Sequence, residues 1–310
     1  AFATAGASAA LAQEVPGQYI VVLEDSAGDP ATFAKGRGMA PFQVYRNVFP
    51  GFAARFSPQA AAALQHNPHV AFVQADRMVF AIGQTLPTGV DRIDAEAAFA
   101  GAPIDADVAV IDTGIDLDHP ELNVVSAINC TISGPNEGQC YGVKDDGHGH
   151  GSHVAGIIGA RDNGDGVVGI APGVRLWAVK VLTNYGSGTT AQIIAGIDWV
   201  AAHAADIEVA NMSIGGVGES PAQDLAIRNA VAAGVTFVLS AGNSNIDVDN
   251  YHPAGEPSAI TVSALADFDG LPGGLGAPTC RVDQDDTRAD FSNYGAGVNI
   301  AAPGVCIYST

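Results

Sequence analysis

The chain has 310 residues, 47% of them hydrophobic, and 13 Lys+Arg against 33 Asp+Glu give a formal net charge of −20. Such a charge repels nucleic-acid phosphate and anionic membrane, so neither is expected as a partner, and it attracts cations, Ca2+ included. The apolar content argues against disorder and can fill one large domain or two of unequal size.

Residues 1–12 are uncharged and Ala-rich, and read as a signal-peptide tail with Ala10-Leu11-Ala12 at the cleavage site, or as a disordered leader. Tyr19–Leu23 is a strong strand. Gly51–Phe56 and Val70–Val73 have strand patterns too, and Ser57 followed by Pro58 opens an Ala-rich helix to His66. These elements predict a small α+β unit over residues 13–82, closed by a connector, Asp76–Thr85, that lacks periodicity.

Beyond Pro87 the pattern becomes strand-then-helix. Val108–Ile111, Arg175–Leu182, Glu208–Ser213, Thr236–Ser240 and Ala259–Ala264 are nearly continuous apolar runs. Helical segments at His150–Ala160, Thr189–Ala204 and Ala222–Ala233 separate them. Apolar strands alternating with helices predict an α/β domain over residues 83–310, a mostly parallel sheet with helices on both faces. Its working residues belong at the carboxyl ends of the strands. No apolar run approaches the ~20 residues of a membrane-spanning helix.

The four cysteines form two local pairs, Cys130 with Cys140 and Cys280 with Cys306, without a Cys-x-x-Cys. They read as two disulfides of an exported protein, while the other connectivities, or four free buried thiols, stay open.

Two segments carry chemistry. Val110-Ile111-Asp112-Thr113-Gly114 delivers a carboxylate to a strand end, and Gly149-His150-Gly151-Ser152-His153 places an imidazole at a helix start. An Asp that orients a His is two-thirds of a Ser-His-Asp hydrolase site. The plainer alternatives are a loop-capping carboxylate at Asp112 and zinc ligation by His148, His150 and His153. The histidines are Gly-spaced in a turn and present no converging face for a metal.

With His119-Pro120-Glu121-Leu122, Gly169-Ile170-Ala171-Pro172, Asn211-Met212-Ser213, Ser240-Ala241-Gly242-Asn243 and Phe291-Ser292-Asn293-Tyr294-Gly295 in this order, the chain resembles the subtilisin-like serine endopeptidases. It resembles in particular the secreted bacterial branch near proteinase K, preceded by its inhibitor-like propeptide. The resemblance implies that Asp112 orients His150 as general base and that Asn243 donates to the oxyanion. Ser152 stands where the family usually has Thr. It implies substrate edges at Tyr185-Gly186-Ser187-Gly188 and Ser213-Ile214-Gly215-Gly216, pairing with an extended peptide. It implies a structural Ca2+ held by side chains of Gln84, Glu121 and Asn163 and carbonyls of Arg161, Asp165 and Val167, although a solvated turn has the same composition. Glu121 replaces the family's usual Asp.

The propeptide would act as folding aid and inhibitor and be cut after Ile82, before Gly83, unless it is retained as a second domain. The family's nucleophile turn, of the Gly-Thr-Ser-Met-Ala type, is absent from the 310 residues. The expectation is therefore a secreted endopeptidase acting on proteins or peptides, with its Ser on a missing C-terminal segment. The alternatives are an inactive propeptide- and calcium-binding module and a nucleotide-binding α/β protein, which lacks any Gly-rich phosphate loop.

Overall fold

The computed structural model describes residues 14–47, 49–77, 84–95, 104–132 and 139–310. The expected leader and the cut between Ile82 and Gly83 lie outside these residues. The chain divides into two compact units, Ala1–Ala81 and Ile82–Thr310.

In the first unit, β1 (Glu14–Leu23), β2 (Pro41–Tyr45), β3 (Gly51–Arg55) and β4 (Val70–Arg77) form an antiparallel sheet in the order β2-β3-β1-β4. Helix α1 (Pro30–Lys35) starts at Asp29, whose carboxylate accepts the Thr32 N–H at 2.9 Å. Helix α2 (Pro58–Gln65) starts at Ser57, whose hydroxyl accepts from Ala60 at 3.2 Å. Both have Pro in the first turn, where a missing N–H costs nothing. Val21, Leu23, Phe33, Phe52, Leu64 and Val70 make the core. Helix α1 and strand β2 were not expected, being a six-residue helix and a five-residue edge strand with weak periodicity. Strand β4 reaches Arg77, so the first two residues of the expected connector are sheet.

In the second unit, α3 (Thr88–Asp91) leads to β5 (Asp107–Asp112), β6 (Val124–Asn129), α4 (His150–Gly159), β7 (Arg175–Lys180), α5 (Thr190–Ala202) and β8 (Val209–Met212). After the short β9 (Gly216–Val217) come α6 (Pro221–Ala232), β10 (Thr236–Ser240), β11 (Tyr251–His252), β12 (Ile260–Ala266), β13 (Thr287–Arg288) and β14 (Ile300–Pro303). The main sheet runs β13-β12-β10-β8-β5-β7-β6, with β14 also pairing with β12. All its pairings are parallel except β12 with β13.

Alternate residues of β5 serve opposite faces, as the two-residue strand period dictates. Ala109 and Ile111 pack with Ile197 and Val200 of α5 and Ile227 of α6, whereas Val108 and Val110 pack with Ala155 of α4 and Leu176. Helices thus cover both faces, and every residue of β5 is buried. The expected strand Val108–Ile111 gains Asp107 and Asp112, the latter at its carboxyl end. Both disulfides, Cys130–Cys140 and Cys280–Cys306, are formed. Among the described residues no helix is long and apolar enough to cross a membrane.

Candidate active site

The parallel strands gather their carboxyl ends along one edge of the sheet, and the chemistry collects there. Asp112 ends β5 with no exposed surface. Its carboxylate accepts the Thr113 N–H at 2.6 Å and faces His150 Nδ1 at 2.8 and 2.9 Å. A carboxylate can only accept, so the ring proton sits on Nδ1 and Nε2 keeps its lone pair. The His150 side chain is 44% exposed, a group held from one side and open on the other. The hydrogen bond it donates to Asp112 raises its pKa above the ordinary imidazole value, against the opposing effect of burial.

The loop before α4 fixes this geometry. Burial pushes the Asp146 carboxyl up, but hydrogen bonds from Gly149, Ser152 and His148 outweigh it and hold its pKa at about 2. Asp146 accepts the N–H groups of His148 (2.9 Å), Gly149 (3.0 Å) and Ser152 (3.0 Å), and the Ser152 hydroxyl at 2.7 Å. The same Ser152 hydroxyl accepts the Asp116 N–H at 2.9 Å. Gly151 brings the helix against the strand: its N–H donates to Thr113 Oγ1 at 2.9 Å, and a Cβ there would lie 2.0 Å from the Gly114 carbonyl oxygen. Lys180, fully buried at the end of β7, donates to the Thr113 carbonyl, and burial lowers its pKa.

His150 opens onto a groove of about 570 Å³. Tyr185, Gly186, Ser187 and Gly188 line it together with Ser213, Ile214, Gly215 and Gly216, so both expected substrate edges meet in one groove. His148 also lines the groove, and its Nδ1 accepts the His150 N–H at 3.3 Å. Asn243 is exposed in the turn after β10, at the same edge of the sheet. That turn is clamped by the fully buried Asn293: its Oδ1 accepts from Ser244 (2.9 Å) and Ile246 (3.1 Å), and its Nδ2 donates to the Ala241 carbonyl (2.7 Å). The Ser309 hydroxyl donates to the His153 carbonyl at 2.6 Å and the Thr310 hydroxyl to that of Ser152 at 3.0 Å, so both are engaged with α4.

The expected calcium ligands converge in part. The Gln84 amide nitrogen lies between the carbonyl oxygens of Arg161 (2.7 Å) and Val167 (3.1 Å). The buried Glu121 carboxylate accepts the Val167 N–H at 3.3 Å. Asn163 instead accepts the Asp165 N–H at 2.9 Å, closing its own turn. A second acidic group was not foreseen: Asp267, Asp269 and Asp285 bring carboxylate oxygens within 4.8 Å of one another. Arg92 faces that cluster, 3.4 Å from Asp267, and is 2.7 Å from Asp286. Asp146 and Lys180 were given no role by the sequence, and Asn293 stood in a family motif without one, since Lys180 and Asn293 act on backbone about fifty to seventy positions away. Asp146-Gly147 before a helix was the one usable signal, as a turn pair placed to cap.

A buried Asp paired with a His that opens onto a groove, at the carboxyl edge of a parallel sheet covered by helices, matches a subtilisin-type scaffold. The chain belongs to the subtilase family, whose model matches residues 105–310, and residues 35–81 match the peptidase inhibitor I9 family. It is 36% identical over 267 residues to an alkaline protease of Alkalihalobacillus alcalophilus, covering 85% of this chain and 62% of that protein. It is 36% identical to subtilisin E of Bacillus subtilis (strain 168), covering 83% and 62%. An extracellular serine proteinase of Thermus sp. (strain Rt41A) is 34% identical, covering 96% and 74%. The chain thus spans about 62% of the length of the first two. The crystal structure of a cold adapted subtilisin-like serine proteinase superposes with a TM-score of 0.54 at 37% identity, covering 66% of this chain and 65% of that one.

Proposed function

We propose that the protein is a secreted serine endopeptidase that hydrolyses peptide bonds through an acyl-enzyme. The observation that carries this reading is the 2.8 Å contact between buried Asp112 and the Nδ1 of a His150 that opens onto the groove. With Nδ1–H held by Asp112, Nε2 takes the proton of a serine hydroxyl as that oxygen attacks the scissile carbonyl. His150 then returns the proton to the departing amine, and Asp112 stabilises the imidazolium in between. Asn243 donates to the oxygen that gains negative charge, and Asn293 keeps its turn from moving. Neither Ser309 nor Thr310, whose hydroxyls are bonded to backbone carbonyls of α4, is assigned as that nucleophile.

The substrate lies extended between the Tyr185–Gly188 and Ser213–Gly216 edges, adding a strand through backbone hydrogen bonds. The glycines there leave room for a second backbone. The inhibitor-like first unit serves as propeptide and is released at Ile82–Gly83. A calcium ion would take the loop around Gln84, where the Arg161 and Val167 carbonyl oxygens converge on its side chain and the buried Glu121 carboxylate has no cationic partner among the described residues. Hard divalent cations take such all-oxygen sets. When bound, the ion would tie the loop to the start of the domain and take no part in bond cleavage.

Replacement of His150 by alanine in the full-length protein tests the reading. Casein hydrolysis should fall at least 10³-fold, with an unchanged circular-dichroism spectrum. A variant that cleaves casein at the parent's rate would refute the assignment.

A further inference from the structure

Two helices of the catalytic unit start with the same local signature, a hydroxyl residue followed three positions later by Gln: Thr189-x-x-Gln192 and Ser220-x-x-Gln223. In α5 the signature closes as a capping box. Thr189 Oγ1 accepts the Gln192 N–H at 3.2 Å, and Gln192 Oε1 accepts the Thr189 N–H at 2.9 Å. At the start of α6 it does not close. Among the described residues, Ser220 makes no side-chain cap, and neither Nε2 nor Oε1 of Gln223 has a hydrogen-bond partner.

Gln223 is nevertheless only 1% exposed, and it lies in the floor of the groove that His150 opens onto. An apolar residue of the same length would fill this space without leaving a donor and an acceptor unmet. Buried polar side chains without partners are rare, and each needs an explanation in what normally occupies the site. The apolar residues that line the same groove, Leu182, Ile193 and Ile214, have no side-chain group that could hydrogen-bond Gln223. The amide has been diverted from its local cap and sits under the path of the substrate.

We propose that Gln223 is a specificity-determining residue: its amide selects substrates that place a hydrogen-bonding side chain, of the Ser, Thr, Asn or Gln class, over this part of the groove. A neutral amide offers two donors and one acceptor, so it meets hydroxyl and carboxamide side chains equally and gives no advantage to a charge. An apolar side chain in the same place seals the amide from water without replacing its bonds, which is the stronger half of the discrimination.

The inference rests on the endopeptidase reading, so the test separates the two. A peptide set in which each position flanking the cut is changed in turn between Thr and Val, and between Asn and Leu, is assayed twice. Cleavage is read as kcat/KM with the full-length protein, and binding as Kd with its His150→Ala variant. At one position Thr should exceed Val, and Asn exceed Leu, by about tenfold. Gln223→Leu, and Gln223→Met as a length-matched second variant, should abolish or invert that ratio with the other positions unmoved. Peptides that bind with a Gln223-dependent ratio but are not cut would remove the endopeptidase reading and leave this one standing. Ratios indifferent to both variants would overturn it. So would a lowered Tm with unchanged ratios, since that outcome assigns Gln223 to capping α6.

Discussion

At the scale of single residues, the protonation of His150 is governed by a neighbour that water never reaches. The Asp112 hydrogen bond favours the imidazolium, so the pKa of the folded protein lies above the ordinary value of about 6.5. In its proposed role as general base His150 must be neutral, so kcat/KM should decline in acid with a midpoint above that ordinary value. The sign for stability is opposite. A raised pKa stabilises the fold fully below the unfolded value, and the contribution is lost as pH rises through the folded one. Activity thus grows over the range in which this pair's contribution to stability fades. Asp112→Asn removes both the hydrogen-bond and the charge contributions, so the acid limb of kcat/KM should move to lower pH while the rate drops. A midpoint that stays in place in Asp112→Asn would show that another group sets it. The measurement is a pH profile at substrate well below KM.

At the scale of elements, the proposed catalysis depends on how closely α4 can approach β5. Gly151 is the contact point, with no room for a methyl group against the Gly114 backbone and only 3.2 Å to Asp112 Cβ. Because the obstructing atoms are backbone, Gly151→Ala should push the helix start outward and carry His150 away from Asp112. The expected effect is a loss of about 10²-fold in kcat and about 1–3 kcal/mol of stability. Turnover and a denaturant melt on the same preparation would check both, and full activity would show the contact to be soft.

The central strands and main helices were legible in the sequence because they are buried on both faces or opened by clear caps. Strand β6 was not, since it lies at the sheet edge and its exposure is mixed. The members of the candidate site that form local motifs, Asp112 and His150, were legible as residue types in a pattern. Asn293 stands in a family motif, but its role, with partners about fifty positions away, was not legible there, and the Ser220-x-x-Gln223 pattern does not tell that its cap stays open.

At the scale of the whole molecule, 33 acidic residues must coexist with 13 basic ones, and each buried carboxylate needs a donor or a cation. Asp107 has Arg175 at 2.5 Å, and Glu256 has Arg228 at 2.9 Å. Glu121, 7% exposed, has one long backbone N–H contact and no basic side chain among the described residues. A divalent ion in the Gln84 loop would supply the missing charge and stabilise only the folded state, so it must raise Tm through mass action. Chelation should then lower Tm by about 5–10 °C, the shift expected for an ion present near a hundredfold above its Kd in a domain of this size. Glu121→Gln should be less stable with calcium present and should lose most of its response to chelator. If both proteins melt at the same temperature with and without calcium, the loop is a hydrogen-bonded turn, and the charge on Glu121 is borne by the protein alone.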